Sequence, residues 1–258
     1  MLLSAATNGM RTTIAAAALA VLATACLSPA RALDMPADVS VKGEYSEVFM
    51  YLGDRLRESR PLAQNCRQET RDWAESIEAD ERSKASEPPS KAPVFGRRYD
   101  ISSIVGGQRY FSVIRMTATE IDGIYNAIDI STILWDSRAN GRITIAPLFK
   151  ESADGGPTMT TLLAAATGGL TAKIGEARAA ALVKTLRPSL TGIGAVSLAP
   201  STTRDKSSGL NFHFELPVPG RYAFREAVVF VPWTSFGRHL SSQGRAVFGG
   251  NRRERYIW

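Results

Sequence analysis

The chain has 258 residues, with 31 Lys and Arg against 25 Asp and Glu, a formal charge of +6 with both His neutral. Hydrophobic residues at 44% and charged residues at 22% are ordinary globular values and exclude a wholly disordered or collagen-like chain. No apolar run reaches the roughly 20 residues of a membrane-spanning helix, two Cys cannot build a disulfide scaffold, and two His leave little room for a His-based metal site.

In chain order, residues 1–32 read as a secretory signal. Arg11 supplies the positive start, behind Met10 as the expected initiator. Ile14 to Leu27 is the apolar stretch, and Ala30-Arg31-Ala32 is an A-x-A cleavage site ahead of Leu33. Cleavage removes Arg11, Arg31 and no acid, which leaves a charge of +4. A secreted or periplasmic location follows. The alternative lies in Leu22-Ala23-Thr24-Ala25-Cys26, which resembles a bacterial lipobox with Ala23 in place of the usual Leu. Membrane attachment is expected only if Cys26 is acylated. Once the signal is gone Cys66 is the sole thiol, expected as a buried small hydrophobe. No dense Lys/Arg stripe with interleaved aromatics points to nucleic acid.

The remainder, 33–258, reads as one exported domain. Residues 44–83 carry Tyr45, Val48, Phe49, Leu52 and Leu56 at three- and four-residue spacings, which predicts a helix interrupted by Pro61. A second helix is expected from about Gln68 to Lys84, so the helical part covers about 44–84. Ser86 to Pro93 is a Pro-rich loop. Beyond it the period becomes two. Tyr99–Ile104 and Arg109–Met116 form a hairpin across Gly106-Gly107, and Ala127–Trp135 turns through Asn140-Gly141 into Arg142–Ile145. A long helix is expected over Thr158–Leu186, with Gly168-Gly169 inside it as a point of close packing. Val196–Leu198 is a possible short strand. Leu210–Leu216 alternates cleanly, Ala227–Val231 is a further strand, and Thr234–Leu240 a short helix. Helices and strands mix without a βαβαβ rhythm, so the expected class is α+β, with a mainly antiparallel sheet packed by helices on one face.

The strong catalytic signatures are absent: no G-x-S-x-G elbow, no Walker A loop, no Ser-x-x-Lys pair. His213 and His239 are too far apart to share a helix face and read as solvated or hydrogen-bonded histidines, so neither a metal nor a cofactor is expected. A Ser-His-acid triad leaves no local motif to read, because its members need not be neighbours in the chain, and nothing in the sequence points to one. The carboxylates Asp72, Glu75, Glu78, Asp80 and Glu81 sit among Arg67, Arg71 and Arg82, the pattern of a salt-bridged solvent face.

Ile130 to Lys150, with its strand, Asp-to-Gly turn, strand and Leu148-Phe149, resembles the RsiV-type extracytoplasmic domain, which also precedes the catalytic domain of PdaC-type peptidoglycan deacetylases. Gly209–Glu215, the Pro217–Glu226 loop and Ala227–Trp233 resemble that family's aromatic strand, Tyr-rich loop and closing strand. The match at about 44–125 is weaker. Two positions depart: Tyr222-Ala223 is followed by Phe224-Arg225 without the family's Gly, and Ile121–Asn126 lacks its His. The resemblance implies a binding module, since RsiV-type sensors bind lysozyme and the deacetylases carry a separate catalytic domain. With at most ten residues ahead of the signal, no cytoplasmic sigma-binding region is expected.

The expected function is therefore a non-enzymatic cell-envelope module that binds a protein partner, such as a lysozyme-like muramidase, or peptidoglycan. The candidate binding residues are Arg221, Tyr222, Phe224 and Arg225, because exposed aromatics beside Arg are what binding hot spots favour. The alternative is a cell-wall hydrolase or deacetylase accessory protein, which a pocket converging on His213, Glu215 and another acid would support.

Overall fold

The computed structural model describes residues 36–121, 124–216 and 225–253. The expected signal, Cys26 and both cleavage sites lie outside the described residues.

Strands β1 (Val39–Lys42) and β2 (Glu47–Leu52) pair antiparallel. Helices α1 (Asp54–Glu58) and α2 (Arg60–Lys84) carry the chain over to β3 (Val94–Val105), which runs parallel to β2. An antiparallel meander follows through β4 (Tyr110–Ile121), β5 (Ile124–Asp136) and β6 (Gly141–Ile143), completing a six-stranded sheet in sequential order. Helices α3 (Pro157–Ile174) and α4 (Glu176–Thr185) lead into a second antiparallel sheet, β7 (Ala195–Pro200), β8 (Ser207–Leu216) and β9 (Arg225–Pro232). Helix α5 (Ser242–Val247) comes last. The class is α+β and the sheets are mainly antiparallel, as expected; β2 and β3 form the parallel exception.

The helix expected from residue 44 is a strand as far as Leu52. Val48, Met50 and Leu52 are buried and alternate with half-covered Glu47, Phe49 and Tyr51, a period of two. The apolar residues satisfy both periods over so short a run. Pairing to β1 on one side and β3 on the other settles the matter, because it satisfies the backbone and buries one face. Pro61 starts a helix instead of interrupting one. It lies in the first turn of α2, where its missing N–H has no intrahelical partner to lose. The predicted Thr158–Leu186 helix is two helices, broken at Gly175, whose φ of 84° takes it out of helical space.

Two main cores result. Leu62, Cys66, Thr70 and Ala74 recur every four residues on α2 and are buried. The first and second of these pack with Met50, Leu52, Tyr99, Ile101, Val113 and Ile133 on one face of the large sheet. In the other core, Leu162, Ala166 and Leu170 of α3 meet Phe212, Phe214, Val229 and Val231 of the small sheet, the four strand residues expected to be buried there.

The two sheets are joined by hydroxyl groups. In the register of β7 on β8, Val196 faces Phe212 and Leu198 faces Leu210. The Val196 amide donates to Thr132 Oγ1 at 3.1 Å and the Leu198 amide to Ser112 Oγ at 2.9 Å, while Ser103 Oγ donates to the Leu198 carbonyl at 2.9 Å. The edge of β7 is thereby paired with side chains of β3, β4 and β5, which removes an open strand edge.

Candidate functional site

Of the predicted binding residues, Arg221, Tyr222 and Phe224 lie outside the described residues. Arg225 opens β9 opposite Leu216, so the segment that carries these residues joins the paired ends of β8 and β9.

On β8 and β9, the face away from α3 carries polar groups. His213 is only 6% exposed, so it is a buried histidine held by hydrogen bonds. Its Nε2 is 2.8 Å from Ser197 Oγ on β7, and its Nδ1 contacts the Glu226 carboxylate on β9. Cross-strand register explains the assembly: Ala195 faces His213 while Ser197 faces Asn211, one pair along on the same side, and Glu226 faces Glu215. Serine, histidine and acid thus stand in the order of a hydrolytic triad. The Ser197 hydroxyl, however, belongs to a residue 1% exposed, closed in where β7 crosses the large sheet. Two surface depressions, one beside Arg109, Tyr110 and Gln243 and the other beside Gln64, Asn65 and Trp135, lie elsewhere.

Glu215 does not converge on His213. Its carboxylate accepts from the Ile130 amide at 3.0 Å, on a length of β5 that the short β6 does not cover. Partial burial raises the Glu215 carboxyl above its ordinary value, and a hydrogen bond and charge repulsion from Asp129 add to the rise. Two carboxyl groups, those of Asp129 and Glu215, stand together at this edge.

The third group lies on the α2 side of the large sheet. Glu69 of α2 takes Arg142 Nη2 at 2.7 Å, the Tyr99 hydroxyl at 2.9 Å, and Arg115. Partial burial pushes the Glu69 carboxyl up, but the hydrogen bonds from Arg142 and Tyr99 and the positive charges of Arg115 and Arg142 outweigh it and hold the group below its usual range. Beside this network Arg97 is 8% exposed, its guanidinium 3.7 Å from the Trp73 ring centroid. Neither its Nε nor its Nη1 has a hydrogen-bond partner among the described residues, and the same holds for Oγ1 of Thr117, which faces Arg97 across the strands.

The solvent-face reading of the α2 carboxylates holds for Asp80 and Glu81, which pair with Lys84. Glu78 does more. It accepts from the Glu44 and Tyr45 amides and from Ser46 Oγ at 2.8–3.1 Å, which ties the helix to the β1–β2 turn. Sequence reasoning passed over Arg97, Glu69, Ser197 and Glu226. A signal for Arg97 was present, because Phe95, Arg97, Tyr99 and Ile101 share one phase of an alternating strand and an arginine on the apolar phase is unusual. Glu69 had no such mark within its charge-rich helix.

No protein-family model and no curated protein matches the chain. Solved structures of DUF3298 family proteins resemble it in part. One from Bacteroides fragilis NCTC 9343 is 13% identical, with a TM-score of 0.40, over 75% of this chain and 72% of that one. Another, from Pseudomonas aeruginosa PAO1, is 11% identical, with a TM-score of 0.43, over 84% of this chain and 99% of that one.

Proposed function

We propose that this chain is an exported, non-enzymatic binding module of the cell envelope, whose ligand is a protein partner, such as a lysozyme-like muramidase, or peptidoglycan. The observation that carries the reading is the burial of Ser197. A serine nucleophile must meet its substrate carbonyl, and here the hydroxyl spends its hydrogen bond on His213 between two sheets that are locked together by Thr132, Ser112 and Ser103. The constellation reads as a buried polar joint. Binding falls to other residues, with Arg221, Tyr222 and Phe224 in the segment between β8 and β9, and Arg225 at the start of β9, as one candidate.

One observation favours an enzyme. Asp129 and Glu215 are exposed at the edge, and a carboxyl held above its ordinary value, as that of Glu215 is, is the kind of acid that cell-wall hydrolysis uses. A pull-down with the processed chain from envelope extract and isolated sacculi, run beside a turnover assay on labelled cell wall, separates the readings. Capture without turnover is expected. Turnover abolished by Glu215→Gln or Ser197→Ala would replace the binding module with a hydrolase.

A further inference from the structure

A buried guanidinium without a partner is among the most expensive groups a fold can keep. Burial lowers the affinity of Arg97 for its proton and outweighs the opposing effect of Tyr99 and Glu69, with Arg115 adding to the fall, yet an arginine does not give up its charge in a protein. An uncompensated cation in a low-dielectric setting is normally neutralised, paired or replaced. Arg97 has no ion pair among the described residues, and Tyr99 and the charge of Glu69 offset its burial only in part. Glu69 is already taken by Arg115, Arg142 and Tyr99. Asp129 lies on the same face of the sheet, one strand beyond Thr117, but makes no ion pair with Arg97 and is hydrogen-bonded to Glu215.

The surroundings fit an absent acceptor. Arg97 Nε and Nη1 are donors, and the unpartnered Thr117 hydroxyl can donate beside them. The contact with the Trp73 ring holds the guanidinium in place before any ligand arrives. Arg97, Arg115 and Arg142 together outnumber Glu69, so the local field attracts an anion. A carboxylate offers only acceptors, and one carboxylate can take a charge-assisted hydrogen bond from an Arg97 donor together with one from the Thr117 hydroxyl. Thr117 and Thr119 on the neighbouring strand are partly exposed, which gives that group a way in along β4.

We propose that Arg97 and Thr117 form a binding site for the carboxylate of a peptide ligand. The proposal rests on the binding-module reading and names a ligand chemistry for it. The carboxylate comes from a peptide C-terminus or from an acidic side chain.

The test uses the full processed chain as wild type, Arg97→Met and Thr117→Val. Thermal melts and calorimetric titrations are run with N-acetyl-Ala-Ala, its C-terminal amide, N-acetyl-Glu amide and inorganic phosphate. At least one carboxylate probe should bind the wild type and raise its melting temperature, while the dipeptide amide does neither. Whichever of N-acetyl-Ala-Ala and N-acetyl-Glu amide binds more tightly identifies the source. Arg97→Met should melt higher than wild type without ligand, because an unpaired buried charge is gone, and should lose tenfold or more in affinity. Thr117→Val should keep its fold and lose affinity severalfold. No binding of either carboxylate to wild type would overturn the proposal, as would stabilisation by phosphate alone. So would an Arg97→Met variant that melts lower while binding as wild type, which would make Arg97 a strut against Trp73. The binding-module reading fails on different grounds, by turnover of cell wall in the assay above, so the two failures are distinguishable.

Discussion

Gly169 on α3 lies directly against Val229 on β9: a Cβ on the glycine would sit 2.4 Å from a Val229 methyl. Its neighbour Gly168 is exposed and has nothing within 4 Å of the same position. The two glycines therefore respond in opposite ways to alanine. Gly168→Ala gains helix propensity of up to ~1 kcal/mol. Gly169→Ala gains the same propensity but forces the helix off the sheet at a cost of about 1–3 kcal/mol. Chemical denaturation of both variants should show Gly168→Ala stabilised and Gly169→Ala destabilised. Equal effects would mean that helix and sheet are not in contact there.

The same interface sets the price of a large truncation. Phe214 is 4% exposed and packs in the core formed by α3 and the small sheet. Phe214→Ala should destabilise the domain by roughly 3–5 kcal/mol, the lost burial plus the cavity left behind. A loss under 1 kcal/mol in urea melts would show that the side chain is not enclosed.

The small sheet was the most legible part of the chain, because Leu210, Phe212, Phe214 and Leu216 alternate over a long run and admit one period. Residues 47–52 were misread because their apolar positions fit both periods, and the choice was made by partners in β1 and β3 that local spacing does not reveal. The polar sites were less legible for a related reason. Ser197, His213 and Glu226 come from three strands and meet only through register. Of the two readings open for His213, solvated or hydrogen-bonded, the second is the one found, and its burial was not legible because a strand buried on both faces can still alternate.

If the Ser197–His213–Glu226 chain is a joint, its loss is felt in stability. Ser197→Ala leaves His213 Nε2 buried and without its partner, which should cost about 1–3 kcal/mol. The melt should stay cooperative, with capture of envelope ligands unchanged. A variant of unaltered stability that loses a cell-wall activity would reverse the assignment.

Cys66 is fully buried, and burial, with the negative charge of Glu69 nearby, pushes its thiol up to about 12. At neutral pH the thiolate that reacts with disulfides is nearly absent. A chromogenic aromatic disulfide should leave Cys66 of a chain prepared as residues 33–258 unmodified over hours, and titrate that one thiol once the chain is unfolded. Rapid modification of the native protein would show that the α2 face opens.

Glu69 should give the protein a recognisable acid sensitivity. Its folded carboxyl is held below its unfolded value, for which ordinary glutamate is ~4.3. The unfolded state therefore takes up the proton first as pH falls. The stabilisation is fully present above the unfolded value and is lost as pH drops through the folded one. Asp38, Glu78, Asp136 and Glu151 are lowered as well, so the wild-type slope is shared among several groups. Glu69→Gln isolates one part. At pH 7 it leaves Arg115 and Arg142 without their acid, and the partly exposed site should lose stability near the lower end of the ~3–5 kcal/mol of a broken buried pair. Between about pH 5 and pH 3 the wild type should lose melting temperature faster than the variant, so that the curves converge at acid pH. Parallel curves would mean that Glu69 has the same proton affinity folded and unfolded, and that the arginines around it do not act on its charge.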